Sequence, residues 1–464
     1  MAKDIDGANS TDLVEIEAFG SFDIHVAYFP ADLKAKAKAF WQHTGEIISS
    51  RLAEAALQGL CTCGASCLSI SVTPKYSGGL RRCRSDSING GTSAPKSLPC
   101  HVALKYRGVI AQDVIKARIA AVVGEPSSSI YLTVSGMAAI YSTYRAVRIL
   151  KGNSAPVVVF GFPYLDTLKI MQRAEINPAG VYFFGFGNQD DLNKLEILLA
   201  EKSIAAVFTE FPSNPLLRCH DMLRLTELAD KHDFVLVVDD TISSFANVDL
   251  LYGTKGKVLA DIVCSSLTKL FSGRGDVLGG SVVVNSSGRY GTQITSLFAD
   301  PNILDIPEMF TIDAEILEKN SRDFIPRVQR INGTALSLAQ WFQERAEVKH
   351  VYYPGISPCK GSYDVIAKKW EPGTGAGYGC LMSIIVVESL CVRKLFDSLE
   401  LHKGPSLGTD YTLVCPYVML AHYCELEWAA SFGLDSRIIR ISVGLEDFQE
   451  IKNAFENAFG HASV

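Results

Sequence analysis

The chain has 464 residues, 48% hydrophobic and 20% charged, enough for two to three domains or one large α/β unit with a smaller companion. A net charge of −6 excludes the basic surface that nucleic acid or an anionic membrane would demand, so neither is expected as a partner. No apolar run approaches a membrane span, and the acidic N-terminus MAKDIDGANSTDLVEIEAFG lacks a signal-peptide core, which predicts a soluble, cytoplasmic protein.

Residues 1–60 read as helical, with helical spacing over 33–40 broken at Trp41, Gln42, His43, Thr44 and Gly45. Residues 61–100 are rich in Gly, Ser, Cys and Pro and read as an irregular arm, with a basic cluster at Arg81, Arg82 and Arg84. Twelve cysteines would form a disulfide framework only in a small secreted chain. Cys264, Cys380 and Cys415 lie in apolar strands as free thiols. Cys61, Cys63, Cys67, Cys83 and Cys100 lack the paired C-x-x-C units of a zinc site, so no metal is expected.

Helical spacing resumes over 109–123. Ser135-Gly136-Met137-Ala138 then opens a helix that runs to about Leu150. Small residues at a helix start leave backbone N–H groups for a phosphate, or simply allow close helix packing. Strands follow at 157–160, 181–184, 205–210, 234–239, 262–265 and 281–285, with helices at 190–201 and 222–231. This alternation predicts a mainly parallel sheet covered on both faces, with the site at the carboxyl ends of the strands.

The informative residues fall at those ends. Glu210 and Asn214 follow one strand, Asp239 and Thr241 the next, and Lys269 another. Asp239 closes the apolar run 234–238, where a carboxylate needs a cation or hydrogen bonds. A pyridinium nitrogen would serve, as would a role as helix N-cap. Lys269 lies in IVCSSLTKLFSGRGDVLGGSVVVN (262–285), between two hydroxyls and a glycine-rich turn. Burial there favours the neutral amine that a Schiff-base lysine requires, whereas a solvated loop lysine is the plain alternative.

A long helical segment, 312–347 with a break at Asn332-Gly333, leads to a smaller C-terminal α/β domain. That domain has strands at 378–387 and 438–443 and helices at 391–399 and 448–459. Arg440, inside the strand IIRISVG, asks for an anion: a substrate carboxylate or an internal salt bridge.

SGMAAI, EFPSNP, VVDDT, SSLTK with its glycine loop, and RISVGLED together resemble the Cys/Met-metabolism family of pyridoxal-phosphate enzymes. These are the cystathionine γ-synthases, the γ- and β-lyases and the O-acetylhomoserine sulfhydrylases, and the resemblance runs from Val109 to the C-terminus. FWQHTGEIISSR, SLTKLFSG, PSLGTDYTLVCPY and AHY (Ala421, His422, Tyr423) are similar to the fungal cystathionine γ-synthase branch.

The resemblance implies the aspartate-aminotransferase-like fold type I: a seven-stranded, mainly parallel sheet in a large domain (109–305), a connecting helix and small domain (306–464), and an N-terminal arm (1–108) that contacts a neighbouring subunit. Pyridoxal 5'-phosphate is the implied cofactor, and a homodimer or homotetramer with shared active sites the implied assembly. By motif, Lys269 carries the cofactor and shuttles protons. Asp239 pairs with the pyridine nitrogen, Thr241 lies beside the ring, and Tyr164 stacks on it and serves as acid or base. Gly136, Met137, Ser266 and Thr268 hold the phosphate, and Asn214 lies near the ring oxygen. Arg440 and Ser406 bind the substrate. The family's neighbour-subunit tyrosine–arginine pair has no clean copy; Tyr106 and Arg107, in Lys105-Tyr106-Arg107-Gly108, lie at the corresponding place.

The implied reaction is γ-substitution on an O-acylhomoserine, the acetyl ester foremost, with cysteine giving cystathionine. Three alternatives stand beside it: a carbon acid as nucleophile, a cystathionine lyase, and a cofactor-free paralogue.

Overall fold

The computed structural model describes residues 13–19, 22–27, 43–45, 49, 51, 71–72, 99–253, 256–369 and 376–462, with side chains placed at 43–45, 49, 51 and from 108 onward. The helix expected at 33–40, the Cys61–Cys83 cluster and the arginine cluster at 81–84 lie outside these residues.

The N-terminal region differs from the helical reading. Strands β1 (Leu13–Phe19) and β2 (Phe22–Ala27) pair antiparallel, and β3 (Ser71–Val72) joins β2. LVEIEAF and FDIHVA alternate apolar and polar residues at a period of two, which suits a strand rather than a helix. Helix α1 (Pro99–Val123) starts well before residue 109 and passes straight through the expected arm boundary at 108.

The main sheet follows. Its elements in chain order are β4 (Ile130–Thr133), α2 (Gly136–Lys151), β5 (Val157–Phe160), α3 (Leu165–Gln172), β6 (Val181–Phe184), α4 (Gln189–Glu201), β7 (Ala206–Glu210), α5 (Met222–His232), β8 (Val235–Asp239), β9 (Ile262–Ser266), β10 (Gly280–Val284) and α6 (Gly291–Ala299). The seven strands run in the order β4-β10-β9-β8-β7-β5-β6. Strands β6, β5, β7, β8 and β9 are parallel neighbours, while β10 runs antiparallel between β9 and β4.

Both faces of the sheet are buried, which is why its strands read as continuous apolar runs. Val157, Val159, Phe208, Val237 and Cys264 face α2, α3 and α6 in one core. Val158, Phe160, Val207, Leu236 and Val263 face α1, α4 and α5 in the other. The helices are signed by their ends. Ser135 caps α2 through the Ala138 N–H at 3.1 Å, Asn188 caps α4 and Asp221 caps α5.

Helices α7 (Thr311–Asn320) and α8 (Phe324–Gln343) lead to a five-stranded sheet. The helical segment breaks at 321–323; Asn332-Gly333 lies inside an unbroken α8. Gly333 has open space around it, and the Asn332 amide donates to Asn247 Oδ1 at 2.7 Å, so packing outweighs helix propensity there. The second sheet, β11 (Val348–Tyr352), β12 (Leu381–Val386), β13 (His402–Lys403), β14 (Leu413–Cys415) and β15 (Ile438–Ser442), has the order β11-β12-β15-β14-β13 and places Arg440 at its centre. Phe162 and Leu216 of the first unit pack with Cys415, Tyr417 and Ile438 of the second. Among the described residues no helix is long and apolar enough to cross a membrane.

Candidate active site

Asp239 is the last residue of β8, in register with Glu210 at the end of β7. Hydrogen bonds carry the geometry from there to the lysine. The Thr241 N–H donates to Asp239 Oδ1 at 2.9 Å, the Ser266 N–H to Thr241 Oγ1 at 2.8 Å, and the Lys269 N–H to the Ser266 carbonyl at 3.2 Å. Arg327 fixes the turn from behind by donating to the carbonyls of Leu270 and Phe271 at 3.0 and 2.9 Å. The close approach of Gly408 supports it too: a Cβ at that position would stand 2.5 Å from the Leu270 nitrogen.

Lys269 Nζ donates to Ser406 Oγ at 3.0 Å. Burial, with the Arg440 charge adding, brings the Lys269 amine down to about 8. Arg440 is itself buried. It donates to Asn214 Oδ1 at 3.2 Å, to the Ser406 carbonyl at 3.0 Å and to the Pro405 carbonyl. Its guanidinium lies 4.4 Å from the Tyr417 ring centre. Asn214 completes this group by donating from Nδ2 to the Tyr417 hydroxyl at 2.9 Å. Among the described residues no carboxylate pairs with Arg440, which removes the internal salt bridge and leaves a buried cation held by neutral oxygens.

Against Ser266 lies the helix-opening turn. Gly136 is pressed against Ser266, and a Cβ there would stand 2.7 Å from Ser266 Cβ. The Ser135 hydroxyl donates to the Gly45 carbonyl at 2.8 Å, so the HTG segment near the N-terminus closes over this turn. His43 Nε2 lies 3.7 Å from Asp166 Oδ1. Tyr164 opens α3 in PYLDT, with its N–H donated to Glu210 Oε1. Tyr164 is 46% exposed; partial desolvation, then the charge and hydrogen bond of Asp166, push its phenol upward.

The structure therefore gathers Lys269, Ser406, Arg440 and Asn214 into one group, and Asp239, Thr241, Ser266 and Gly136 into an adjoining one. Met137 follows Gly136 in the first turn of α2, its sulfur 3.9 Å from the Thr167 hydroxyl. Thr268 instead spends its hydroxyl on Gly279, accepting from its N–H at 3.0 Å. Asn214 is tied to Arg440 and Tyr417. Tyr106 and Arg107 lie in α1, in the part whose side chains are outside the described residues. Sequence reasoning missed Tyr417, Arg327, His43 and Gly45. All but Arg327 stand in stretches already set apart, FWQHTGEIISSR and PSLGTDYTLVCPY, so the signal was there without the contact.

These groups fit pyridoxal phosphate. Asp239 is half-buried, its pKa raised by desolvation, and its partners are the Thr241 hydroxyl and N–H, with no basic side chain among the described residues. A cationic ring nitrogen is the partner such a carboxylate lacks. The Gly136 turn at a helix start beside Ser266 suits a phosphate, and the partly neutral Lys269 amine suits an aldehyde. Fold and site together define a pyridoxal-phosphate-dependent enzyme of fold type I.

The family model "Cys/Met metabolism PLP-dependent enzyme" matches residues 104–460, and "Fungal trans-sulfuration enzyme, N-terminal domain" matches residues 6–49. The chain belongs to the Cys/Met-metabolism pyridoxal-phosphate enzymes. It is 36% identical to a cystathionine gamma-synthase of Neurospora crassa, over 94% of this chain and 77% of that protein. It is 34% identical to the cystathionine gamma-synthase-like enzyme iboG2 of Amanita muscaria, over 97% of this chain and 78% of that protein. A crystal structure of cystathionine gamma synthase from Xanthomonas oryzae pv. oryzae shares the fold, with a TM-score of 0.64 at 24% identity over 77% of this chain and 88% of that one.

Proposed function

We propose that the protein catalyses γ-substitution on an O-acyl-L-homoserine, the acetyl ester foremost, exchanging the acyloxy group for the thiol of cysteine. The balance is O-acetylhomoserine plus cysteine giving cystathionine plus acetate. Pyridoxal phosphate, when bound, makes the protons next to an amino acid's amino-bearing carbon removable. Everything else falls to the chain.

Asp239 holds the ring nitrogen and the Gly136–Met137 turn with Ser266 holds the phosphate. Thr241 would lie beside the ring. Arg440, steadied by Asn214 and Tyr417, takes the substrate carboxylate, whose negative charge offsets that of the guanidinium beside Lys269. The Lys269 amine accepts the Cα proton and is kept aimed by Ser406. Once it has handed that proton on to the bound substrate and cofactor, the same amine is free to take the Cβ proton whose loss precedes departure of the acyloxy group. Tyr164, holding its proton, acts as a donor to the leaving oxygen. Tyr106 and Arg107 are proposed at the phosphate of a neighbouring copy, in a homodimer or homotetramer.

One observation carries this reading: the Lys269 amine, lowered to about 8, stands 3.0 Å from Ser406 Oγ and beside Arg440, which no carboxylate pairs among the described residues. A base and a carboxylate anchor so placed put an α-amino acid's Cα at the amine.

A second reading keeps the first substrate and replaces cysteine by a carbon acid. It rests on the near-equal identity to a cystathionine gamma-synthase and to an enzyme named only as synthase-like, 36% and 34%. The contacts described above all address the first substrate. Incubating O-acetyl- and O-succinylhomoserine with cysteine or with acetoacetate, and weighing the products, tests both readings. Cystathionine from the acetyl ester is expected. No γ-product with any pairing would overturn the proposal.

A further inference from the structure

Two cysteines that play no part in that chemistry touch one another. Cys219 lies downstream of Asn214, on a tight loop closed by Ser213 N–H to Arg218 carbonyl and Leu217 N–H to Ser213 carbonyl, both 3.0 Å. Cys359 lies on the turn at 357–360, between β11 and β12. The Cys219 N–H donates to Cys359 Sγ at 3.2 Å, and the Ser357 hydroxyl is 3.1 Å from the same sulfur. Both sulfurs lie near one acceptor, the Leu217 carbonyl, at 3.6 Å from Cys219 Sγ and 3.8 Å from Cys359 Sγ. Both cysteines are free thiols.

We propose that Cys359 and Cys219 are a reactive thiol pair that a hydroperoxide converts to a disulfide, tying the Asn214 loop to the 357–360 turn. Cys359 is the attacking sulfur. It is half-buried behind the exposed Pro358, whereas Cys219 is 6% exposed. Donors converge on Cys359 as they do on reactive cysteines, and the Arg218 guanidinium is near enough to feel its charge. The hydrogen bond from Cys219 comes first in holding the Cys359 thiol down, at about 6.

The steps balance. The Cys359 thiolate attacks the outer oxygen of ROOH, the O–O bond breaks, and ROH leaves with one proton, giving Cys359–SOH. The Cys219 thiol then attacks that sulfur, the S–O bond breaks, and water leaves with the Cys219 proton. Two thiols and one hydroperoxide give one disulfide, one alcohol and one water.

The test is hydrogen peroxide on the pyridoxal-phosphate-loaded protein, followed by alkylation and peptide mapping. The expected product is a Cys219–Cys359 cross-linked peptide that dithiothreitol separates. In Cys219→Ser the reaction should stop at Cys359, where dimedone captures it; in Cys359→Ser, Cys219 should remain a thiol. The exposed Cys424 serves as the internal comparison. Oxidation at Cys424 with Cys219 and Cys359 still fully alkylatable would overturn the proposal. So would either cysteine cross-linked to a different one. The wild-type result stands even if a variant fails to fold.

Discussion

Glu210 and Asp239 stand side by side in register as the last pair of β7 and β8, two carboxylates each of which disfavours charge on the other. Burial, and then the charge of Asp239, hold the Glu210 carboxyl well above the usual carboxylate range, so the proton stays on Glu210. Burial raises Asp239 as well, and the proposed cationic ring nitrogen would restore its charge. Glu210→Gln, neutral and of the same shape, is therefore expected to keep its cofactor absorbance and its turnover within about fivefold, the scale of one neutral hydrogen bond. Asp239→Asn should lose about a hundredfold or more in turnover. Equal losses in the two variants would place the charge on the wrong carboxylate.

In the proposed reaction Tyr417 acts on substrate through Asn214 and Arg440. Removing its hydroxyl in Tyr417→Phe frees the Asn214 amide, at a cost of about 1 kcal/mol, or roughly a fivefold rise in KM with kcat little changed. Arg440→Lys gives up the planar fork that a carboxylate matches. It should cost about 2 kcal/mol in kcat/KM, roughly thirtyfold. Steady-state kinetics on the homoserine ester separate the two, and an effect of Tyr417→Phe on kcat alone would contradict the positioning role.

With Lys269 proposed as the cofactor's lysine, its charge state sets how fast cofactor attaches to the apoprotein. With the amine lowered to about 8, the rate should rise about tenfold per pH unit below that value and flatten above it. Arg440→Gln removes a neighbouring positive charge and should move the plateau to higher pH. Stopped-flow absorbance after adding pyridoxal phosphate reads both. A plateau near the ordinary lysine value in the native chain would contradict the burial of this amine.

Asp240 supplies a pH dependence of stability. It is 2% exposed, and its Oδ1 has no hydrogen-bond partner among the described residues. Burial pushes its carboxyl up to about 8, opposed by a hydrogen bond with Ser265 and by Lys368, and aided by the Asp239 charge. A raised folded pKa means the fold favours the protonated form. The stability it contributes is complete below the model-peptide value, near 3.8, and drains away as pH rises toward about 8. Asp240→Asn stays uncharged, so its thermal midpoint should gain on the native chain between about pH 5 and about pH 8. A constant gap across that range would refute the assignment.

The sheet was legible because it is parallel and buried on both faces. Val157–Phe160 and the run ending at Asp239 are apolar at every position, and the helices between them carry their own caps at Asn188 and Asp221. Strand β4 escaped notice because Ile130–Thr133 is short and sits on the sheet edge, beside Ser and Gly punctuation. The N-terminal strands escaped because the period of two in LVEIEAF is brief. Lys269 and Asp239 stood out at strand ends, where a charge after an apolar run has few uses. Tyr417 and Arg327 did not, since their value lies in contacts that span long stretches of chain: Tyr417 to Asn214, Arg327 to the carbonyls behind Lys269. Spacing along a sequence does not encode such contacts.

The identity of the lysine that carries the cofactor decides the whole account. Borohydride reduction of the pyridoxal-phosphate-loaded protein fixes the cofactor to its lysine, and peptide mapping then locates it. The account requires the pyridoxyl group on Lys269 in the peptide containing SSLTK, with no labelling in Lys269→Ala. A pyridoxyl group on any other lysine of the native chain would contradict it.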